Sequence, residues 1–176
     1  MVGVKDLEYL KEFGHQTNCG TFANGIIFGR MRFRRPEKEY SCTAASLRNC
    51  LLYKGYNYTE KEIRKIINTK KVGTYFDDLI KGLETLKFKP ALIIRFNKKQ
   101  FKDCLDKELL EKKTVILVTD SDMHTVAVLK KERGKYKIID NMFDIIEQNL
   151  TFNQLEGLAN WFNREIKKIQ YHFVSF

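Results

Sequence analysis

The chain contains few of the residues that interrupt or cross-link folded structure. Its 176 residues include two prolines and ten glycines, and the sequence has no repeat or low-complexity segment. Long linkers, solenoids and disordered tails are therefore not expected. Hydrophobic residues make up 43% of the chain, which at this length predicts one folded domain over residues 1–176.

Cysteine is also scarce, and its spacing excludes two further classes of protein. Cys19, Cys42, Cys50 and Cys104 form no Cys-x-x-Cys pair. Neither a disulfide scaffold nor a zinc site is predicted from cysteines so few and so widely spaced. We expect no metal and no organic cofactor.

Long apolar runs are missing too. No segment approaches the ~20 apolar residues that a membrane-spanning helix requires. Residues 1–8 carry charges where a signal peptide would be apolar. The sequence therefore predicts a cytoplasmic protein with reduced thiols and no membrane partner, and it gives no indication of the oligomeric state.

Positive charge is in excess, with a net charge of +10 and a pI near 9.4. The lysines usually stand beside acids, and the densest basic cluster, residues 30–35, lies on an alternating segment typical of a solvated strand face. Nucleic acid is therefore not expected as the main partner, although a nucleic-acid-binding protein stays an alternative. A basic surface would also attract an acidic protein or peptide substrate.

Helical and strand patterns follow each other in an order that predicts an α+β fold, with helices first and an antiparallel sheet later. The predicted helices cover residues 4–13, 41–54, 75–86, 98–110 and 151–163, and a further helix opens at Thr59. The predicted strands lie within residues 22–34, 91–96, 114–119, 124–129, 135–140 and 168–176. The chain then divides into an N-terminal extension or flap (1–40), a helical half (41–90) and a sheet half (91–176).

Several residues mark the ends of these elements. Ser41 is the predicted N-cap of the helix at 41–54. Thr59 has Glu62 three residues on, which is the spacing of a capping box. Gly134 lies between two β-branched runs and predicts that residues 124–140 form a hairpin.

Cys42 occupies the position of greatest chemical interest. A cysteine in the first turn of a helix has its thiolate favoured by the helix dipole, and the nearby backbone N–H groups can receive an oxyanion. Cys50 lies eight residues further along the same helix, Cys104 lies in the middle of another, and Cys19 lies in a predicted loop. Cys42 is therefore the candidate nucleophile.

His124 and Asp140 are the candidate partners of that thiol. His124 begins one strand of the predicted hairpin and Asp140 ends the other. In an antiparallel pair the start of one strand lies beside the end of its neighbour. An imidazole held by a carboxylate is what a nucleophilic thiol needs, although a structural hydrogen bond between the two residues is the alternative.

The segment from Ser41 to Arg48, running on to Gly55, resembles the nucleophile helix of the bacteriocin-leader (double-glycine) peptidase family. The Gly73-Thr74 turn, the strand headed by His124 and the strand ended by Asp140 follow in that family's order, and the resemblance covers about residues 40–176. It implies a papain-like cysteine peptidase fold. It also implies that Cys42 is the nucleophile, His124 the general base and Asp140 the carboxylate that orients it.

Two positions differ from that family's pattern. Thr43 stands where a glycine usually follows the cysteine, and Pro36 stands where a glutamine usually completes the oxyanion hole. Gln16, Asn18 or Asn24 could supply the missing donor, although their spacing does not match.

The sequence therefore leaves several functions open. The first is a cysteine peptidase that hydrolyses a peptide bond in a specific protein or peptide. An acyltransferase or deamidase would use the same thiol. A catalytically impaired binding module on the same fold is the third.

Overall fold

The computed structural model describes residues 26–28, 31–119, 124–140, 147–159, 161–163 and 168–176. The helix predicted at residues 4–13 and the loop predicted at 15–20 lie outside the described residues. None of the described helices is long and apolar enough to cross a membrane.

The described helices agree closely with the sequence pattern over most of the chain. They are α1 (Cys42–Tyr53), α2 (Glu60–Ile66), α3 (Phe76–Thr85), α4 (Lys98–Leu110) and α5 (Phe152–Ala159). The Thr59–Glu62 capping box is present at the start of α2, where it satisfies two backbone N–H groups.

The last helix is shorter than predicted. It ends at Ala159 rather than continuing to 163, and Trp161–Asn163 forms a strand instead. Aromatic residues such as Trp161 and Phe162 favour strands. Pairing with the final strand of the chain also supplies their backbone hydrogen bonds, so tertiary contact overrides the helical pattern.

The strands form a short hairpin and one large sheet, in which every described pairing is antiparallel. Strands β1 (Ile26–Phe28) and β2 (Met31–Phe33) form the hairpin. The sheet contains β3 (Ala91–Arg95), β4 (Val115–Val118), β5 (Thr125–Glu132), β6 (Lys135–Ile139), β7 (Glu147–Leu150), β8 (Trp161–Asn163) and β9 (Lys168–Ser175). Its order is β3-β9-β4-β5-β6-β7, with β8 paired to β9. The α+β prediction is confirmed.

Strand β7 was not predicted from the sequence. Its residues Glu147–Leu150 are mostly polar and give no β-branched run. They form a strand because they pair with β6, which is itself strongly β-forming.

Helices cover both faces of the central strands. Ala127 and Leu129 of β5 face a core shared with α1, α2 and α3, while Val126 and Val128 face a second core shared with α4 and α5. Alternate residues of a strand point to opposite faces, so a strand buried on both sides must be apolar throughout. This explains the unbroken apolar character of residues 126–129.

Helix α1 is buried along most of its length, from Cys42 to Leu51. Its polar side chains are therefore held by hydrogen bonds rather than by water. Ser46 Oγ donates to the carbonyl of Thr125 at 2.9 Å. Asn49 accepts from the backbone N–H of Arg34 at 3.3 Å and donates to the Arg34 carbonyl at 3.2 Å. These hydrogen bonds fix α1 against β5 and against Arg34, the residue that follows the β1–β2 hairpin.

We predict that Gly82→Ala destabilises the protein, because α3 packs there directly on the end of α2. A Cβ at Gly82 would lie 2.6 Å from Ile67 Cγ2 and 3.0 Å from the Ile66 carbonyl oxygen. Overpacking of this kind costs about 1–3 kcal/mol. Urea denaturation of the variant and the wild type measures the change.

Gly157→Ala is the matched control for this prediction. Gly157 lies in α5 with no atom within 4 Å of its would-be Cβ. The alanine should stabilise the protein by up to about 1 kcal/mol, since glycine is a poor helix former. Equal effects of the two substitutions would contradict the close packing of α2 and α3.

Candidate active site

The β5–β6 hairpin brings His124 and Asp140 together. The two strands pair with Ala127 opposite Ile139, so His124, just before β5, and Asp140, just after β6, reach the same end of the sheet. Arg133 and Gly134 both adopt positive φ at the turn, as a tight hairpin requires. The His124 carbonyl accepts hydrogen bonds from the Thr119 backbone at 2.8 Å and the Thr119 hydroxyl at 3.2 Å.

The imidazole of His124 is held by a buried carboxylate. His124 Nε2 lies 3.0 Å from Asp140 Oδ1, and only 4% and 2% of the two residues remain exposed. A hydrogen bond of this kind fixes the ring orientation and the tautomer. Because Nε2 is engaged by Asp140, Nδ1 is the nitrogen left to face a thiol.

Cys42 is the first residue of α1, is fully buried, and interacts with His124. Burial lowers the pKa of His124, but the hydrogen bonds to Asp140 and Cys42 and the attraction of both groups outweigh it. Together they raise the pKa to about 9. His124 is therefore protonated at neutral pH, so its environment favours an imidazolium beside a thiolate.

The remaining described thiols lie in different surroundings. Burial raises the pKa of Cys50 to about 12, and its Sγ lies 3.9 Å from the Val115 carbonyl oxygen. Such a thiol stays protonated and unreactive. Cys104 lies on the other side of the sheet, where its Sγ accepts a hydrogen bond from Arg95 Nε at 3.2 Å. Cys19 lies outside the described residues.

Hydroxyl groups surround the base of the site. Thr43 Oγ1 lies 4.0 Å from Cys42 Sγ, and Thr125 Oγ1 lies 3.5 Å from both Thr43 Oγ1 and Ser46 Oγ. These side chains join the start of α1 to the start of β5. Thr43 was noted in the sequence only as a departure from the family's glycine. Ser46 and Thr125 gave no signal of a role at the site, because isolated threonines and serines are common in helices and strands.

Ser41 is the N-cap residue of α1, as predicted, but it does not cap the helix with its side chain. The hydroxyl instead contacts the Lys38 carbonyl at 2.9 Å and Glu60 Oε1 at 2.5 Å. Glu60 is 2% exposed, and burial raises its pKa. Nothing in the sequence marked Glu60 as buried, because an acid in the first turn of a helix is usually solvated.

Pro36 stands in the sequence where the resemblance leads us to expect a glutamine. Pro36 is described and offers no side-chain donor, while Gln16, Asn18 and Asn24 lie outside the described residues. Within the described ranges, no group of three His, Cys, Asp or Glu side chains is arranged to hold a metal ion.

Residues 30–161 match the model of the Peptidase C39 family. This stretch is most of the sequence, so the chain belongs to that family of peptidases. No curated protein sequence matches the chain.

Solved structures of similar fold agree with this assignment. The peptidase domain of Streptococcus ComA, a bi-functional ABC transporter of a quorum-sensing pathway, has a TM-score of 0.56 at 14% identity and covers 81% of this chain and 96% of its own. A double-glycine-motif protease from an AMS/PCAT transporter, in complex with a leader peptide, has a TM-score of 0.56 at 12% identity. The match covers 87% of this chain and 92% of that protease. A proposed C39-like peptidase from Bacillus anthracis has a TM-score of 0.51 at 14% identity. The match covers 85% of this chain and 98% of that peptidase. The papain-like fold prediction is confirmed.

We predict that Asp140→Asn lowers the pKa of His124 from about 9, because the buried imidazolium loses one of the two groups that stabilise its charge. Since the folded pKa exceeds the ordinary value of 6.5, the stabilisation is complete below about pH 6.5. It is lost as the pH rises through about 9. NMR titration of the His124 ring measures the pKa directly.

Asp106→Asn is the matched control for this titration. Asp106 accepts hydrogen bonds from Tyr136, Lys102 and Lys131 on the α4 side of the sheet. Its substitution should leave the pKa of His124 unchanged. An unaltered pKa in Asp140→Asn would contradict the described geometry.

Proposed function

We propose that the protein is a cysteine peptidase that cleaves a peptide bond in a specific protein or peptide substrate. Cys42 is the nucleophile, His124 the general base and acid, and Asp140 the carboxylate that orients His124. The observation that carries the proposal is the position of the His124 imidazole, which interacts with both Cys42 and Asp140 at the N-terminus of α1. No metal or organic cofactor takes part.

The reaction proceeds in two halves. The Cys42 thiolate attacks the scissile carbonyl carbon, and its electron pair forms the sulfur–carbon bond while the carbonyl oxygen becomes negative. Protonated His124 then gives its proton to the leaving amine, and the carbon–nitrogen bond breaks to leave a thioester. Neutral His124 next takes a proton from water, whose oxygen attacks the thioester. The acid product leaves and the thiolate and imidazolium re-form.

The backbone N–H of Cys42 is the proposed donor to the oxyanion. Removing one donor from such a site lowers the rate by about 10²–10³. With Pro36 in the position of the usual glutamine, we expect a slower enzyme than one with a complete set of donors, unless the N-terminal segment supplies another.

The proposed substrate is a peptide segment with small residues before the cleaved bond. One neighbour of similar fold is a double-glycine-motif protease in complex with a leader peptide. The net charge of +10 would favour an acidic substrate through long-range attraction. We place this activity in the cytoplasm and in one domain over residues 1–176, of which residues 1–40 are an N-terminal extension or flap.

A catalytically impaired binding module is the second candidate, and Pro36 is the observation that favours it. It would retain the fold and bind a peptide without cleaving it. An acyltransferase or deamidase would form the same Cys42 thioester or tetrahedral adduct. Transfer of the acyl group to an added amine would distinguish the acyltransferase from a hydrolase.

We predict that Cys42→Ala abolishes cleavage of leader-type peptides containing a Gly-Gly pair. His124→Ala should reduce kcat/KM by at least about 10³, because both the thiolate partner and the proton donor are lost. Asp140→Asn should lower it by about 10–10⁴, because the imidazole loses its orientation. Quantitative mass spectrometry of the peptide fragments measures each rate.

Cys50→Ala is the control for this series, since that thiol is buried in the core and its substitution changes no group near His124. It should retain cleavage. Cleavage that survives in Cys42→Ala would refute the assigned nucleophile. Tight peptide binding by the wild type without any cleavage would establish the binding module instead.

We also predict an upper pH limit near 9 for the reaction. As the pH rises through the pKa of His124, the imidazole loses the proton that the leaving amine must receive. A profile of kcat/KM against pH measures this limit. Undiminished activity at pH 10.5 would contradict the role of His124 as the acid.

A further inference from the structure

The segment that leads into Cys42 is held by one buried carboxylate. Both oxygens of Glu60 accept from the backbone N–H of Glu37, at 3.0 and 2.9 Å. Glu60 Oε1 also accepts from the Ser41 hydroxyl at 2.5 Å. Arg64 supports this arrangement from α2, with Nε 3.7 Å from Glu60 Oε1 and Nη2 3.2 Å from Glu37 Oε2.

These contacts give the start of α1 an unusual geometry. Thr59 and Asn97, the N-caps of α2 and α4, have extended backbones with ψ of 153° and 128°, and their side chains accept from backbone N–H groups of the helix. Ser41 has ψ of 23° and makes no such bond. Its N–H and its hydroxyl both turn back to the Lys38 carbonyl, at 3.0 and 2.9 Å.

The backbone of Ser41 has a direct effect on Cys42. The ψ angle of a residue sets the plane of the following peptide bond, so the ψ of Ser41 sets the direction of the Cys42 N–H. A capping hydroxyl would also lie in front of the first turn of α1, where the oxygen of a substrate carbonyl must enter.

We propose that Glu60 is a positioning residue that aims the Cys42 N–H at the oxyanion by holding Ser41 away from its capping geometry. This inference rests on the proposed function, because it assigns Glu60 to the oxyanion side of that same site. Glu60 is the first residue of α2, so this helix would also help to orient the Cys42 N–H. Since Pro36 offers no donor, the direction of the Cys42 N–H matters more here than in a site with two donors.

Two probes separate the oxyanion side of the site from the thiol. A peptide aldehyde ending in glycinal adds the Cys42 S–H across its C=O bond, and the resulting oxygen occupies the oxyanion position. Iodoacetamide alkylates the same sulfur with loss of iodide and needs no oxyanion donor. A positioning role for Glu60 therefore predicts different effects on the two reactions, whereas general damage to the site predicts equal effects.

The experiment measures both reactions at pH 7.5 in the full-length wild type, Glu60→Ala, Ser41→Ala and the double variant. Glu60→Ala should raise the dissociation constant of the aldehyde by at least about tenfold and change the alkylation rate by less than about threefold. The double variant should recover most of the lost affinity, because alanine at position 41 cannot cap α1. Double variants of residues in contact commonly depart from additivity in this way.

Glu62→Ala is the matched control on the same helix. It removes the capping box of α2 and destabilises that helix without touching Ser41, and it should leave aldehyde affinity unchanged. If Glu60→Ala does not fold, Glu60→Gln takes its place, because the amide retains one acceptor oxygen. In that case a smaller loss of aldehyde affinity is expected, again reversed by Ser41→Ala.

Three results would overturn the inference. Glu60→Ala could bind the aldehyde as tightly as the wild type, it could lose both reactions equally, or the double variant could bind no better than Glu60→Ala. A wild-type Cys42 that reacts with neither probe would instead refute the proposed function, and the inference with it. The behaviour of the wild type therefore separates the two failures.

Discussion

The contact between the buried N-terminus of α1 and the open end of the β5–β6 hairpin is the interaction on which the rest of the site depends. Ser46 Oγ donates a hydrogen bond to the carbonyl of Thr125, the residue that follows His124, and this bond fixes α1 beside the start of β5. The hairpin in turn fixes His124 beside Asp140. A buried imidazole would ordinarily be neutral, because desolvation disfavours its charge. Two acidic neighbours reverse that preference, so the geometry of α1 and the hairpin decides the protonation state of the site.

Most of the fold was predictable because its central elements carry strong sequence patterns of their own. Strong periodic signals marked α1, α4 and the central strands, and these elements form the two cores. The errors fell where a segment takes its structure from a neighbour rather than from its own residues. Glu147–Leu150 is a strand because β6 lies beside it, and Trp161–Asn163 leaves the helical pattern because β9 pairs with it.

The residues of the candidate site likewise fall into those that the sequence indicated and those that it did not. Cys42, His124 and Asp140 could be named from the sequence as candidates, since each stands at the end of a recognisable element and resemblance to a family supplied their order. The groups that support them could not. Ser41 matched a capping pattern, and the carboxylate that diverts it comes from Glu60, 19 positions away in the sequence. Whether Glu60 is solvated or buried depends on the path of residues 37–41, which no local pattern specifies.

The measurement that tests the account most directly is the pH dependence of Cys42 alkylation by iodoacetamide, in the wild type and in His124→Ala. Peptide mass spectrometry can follow Cys42 and Cys50 in the same sample. Cys42 should react fast already below neutral pH, far faster than Cys50, and His124→Ala should abolish this advantage. Slow labelling of Cys42 that matches Cys50 and does not change in His124→Ala would contradict the thiolate–imidazolium pair.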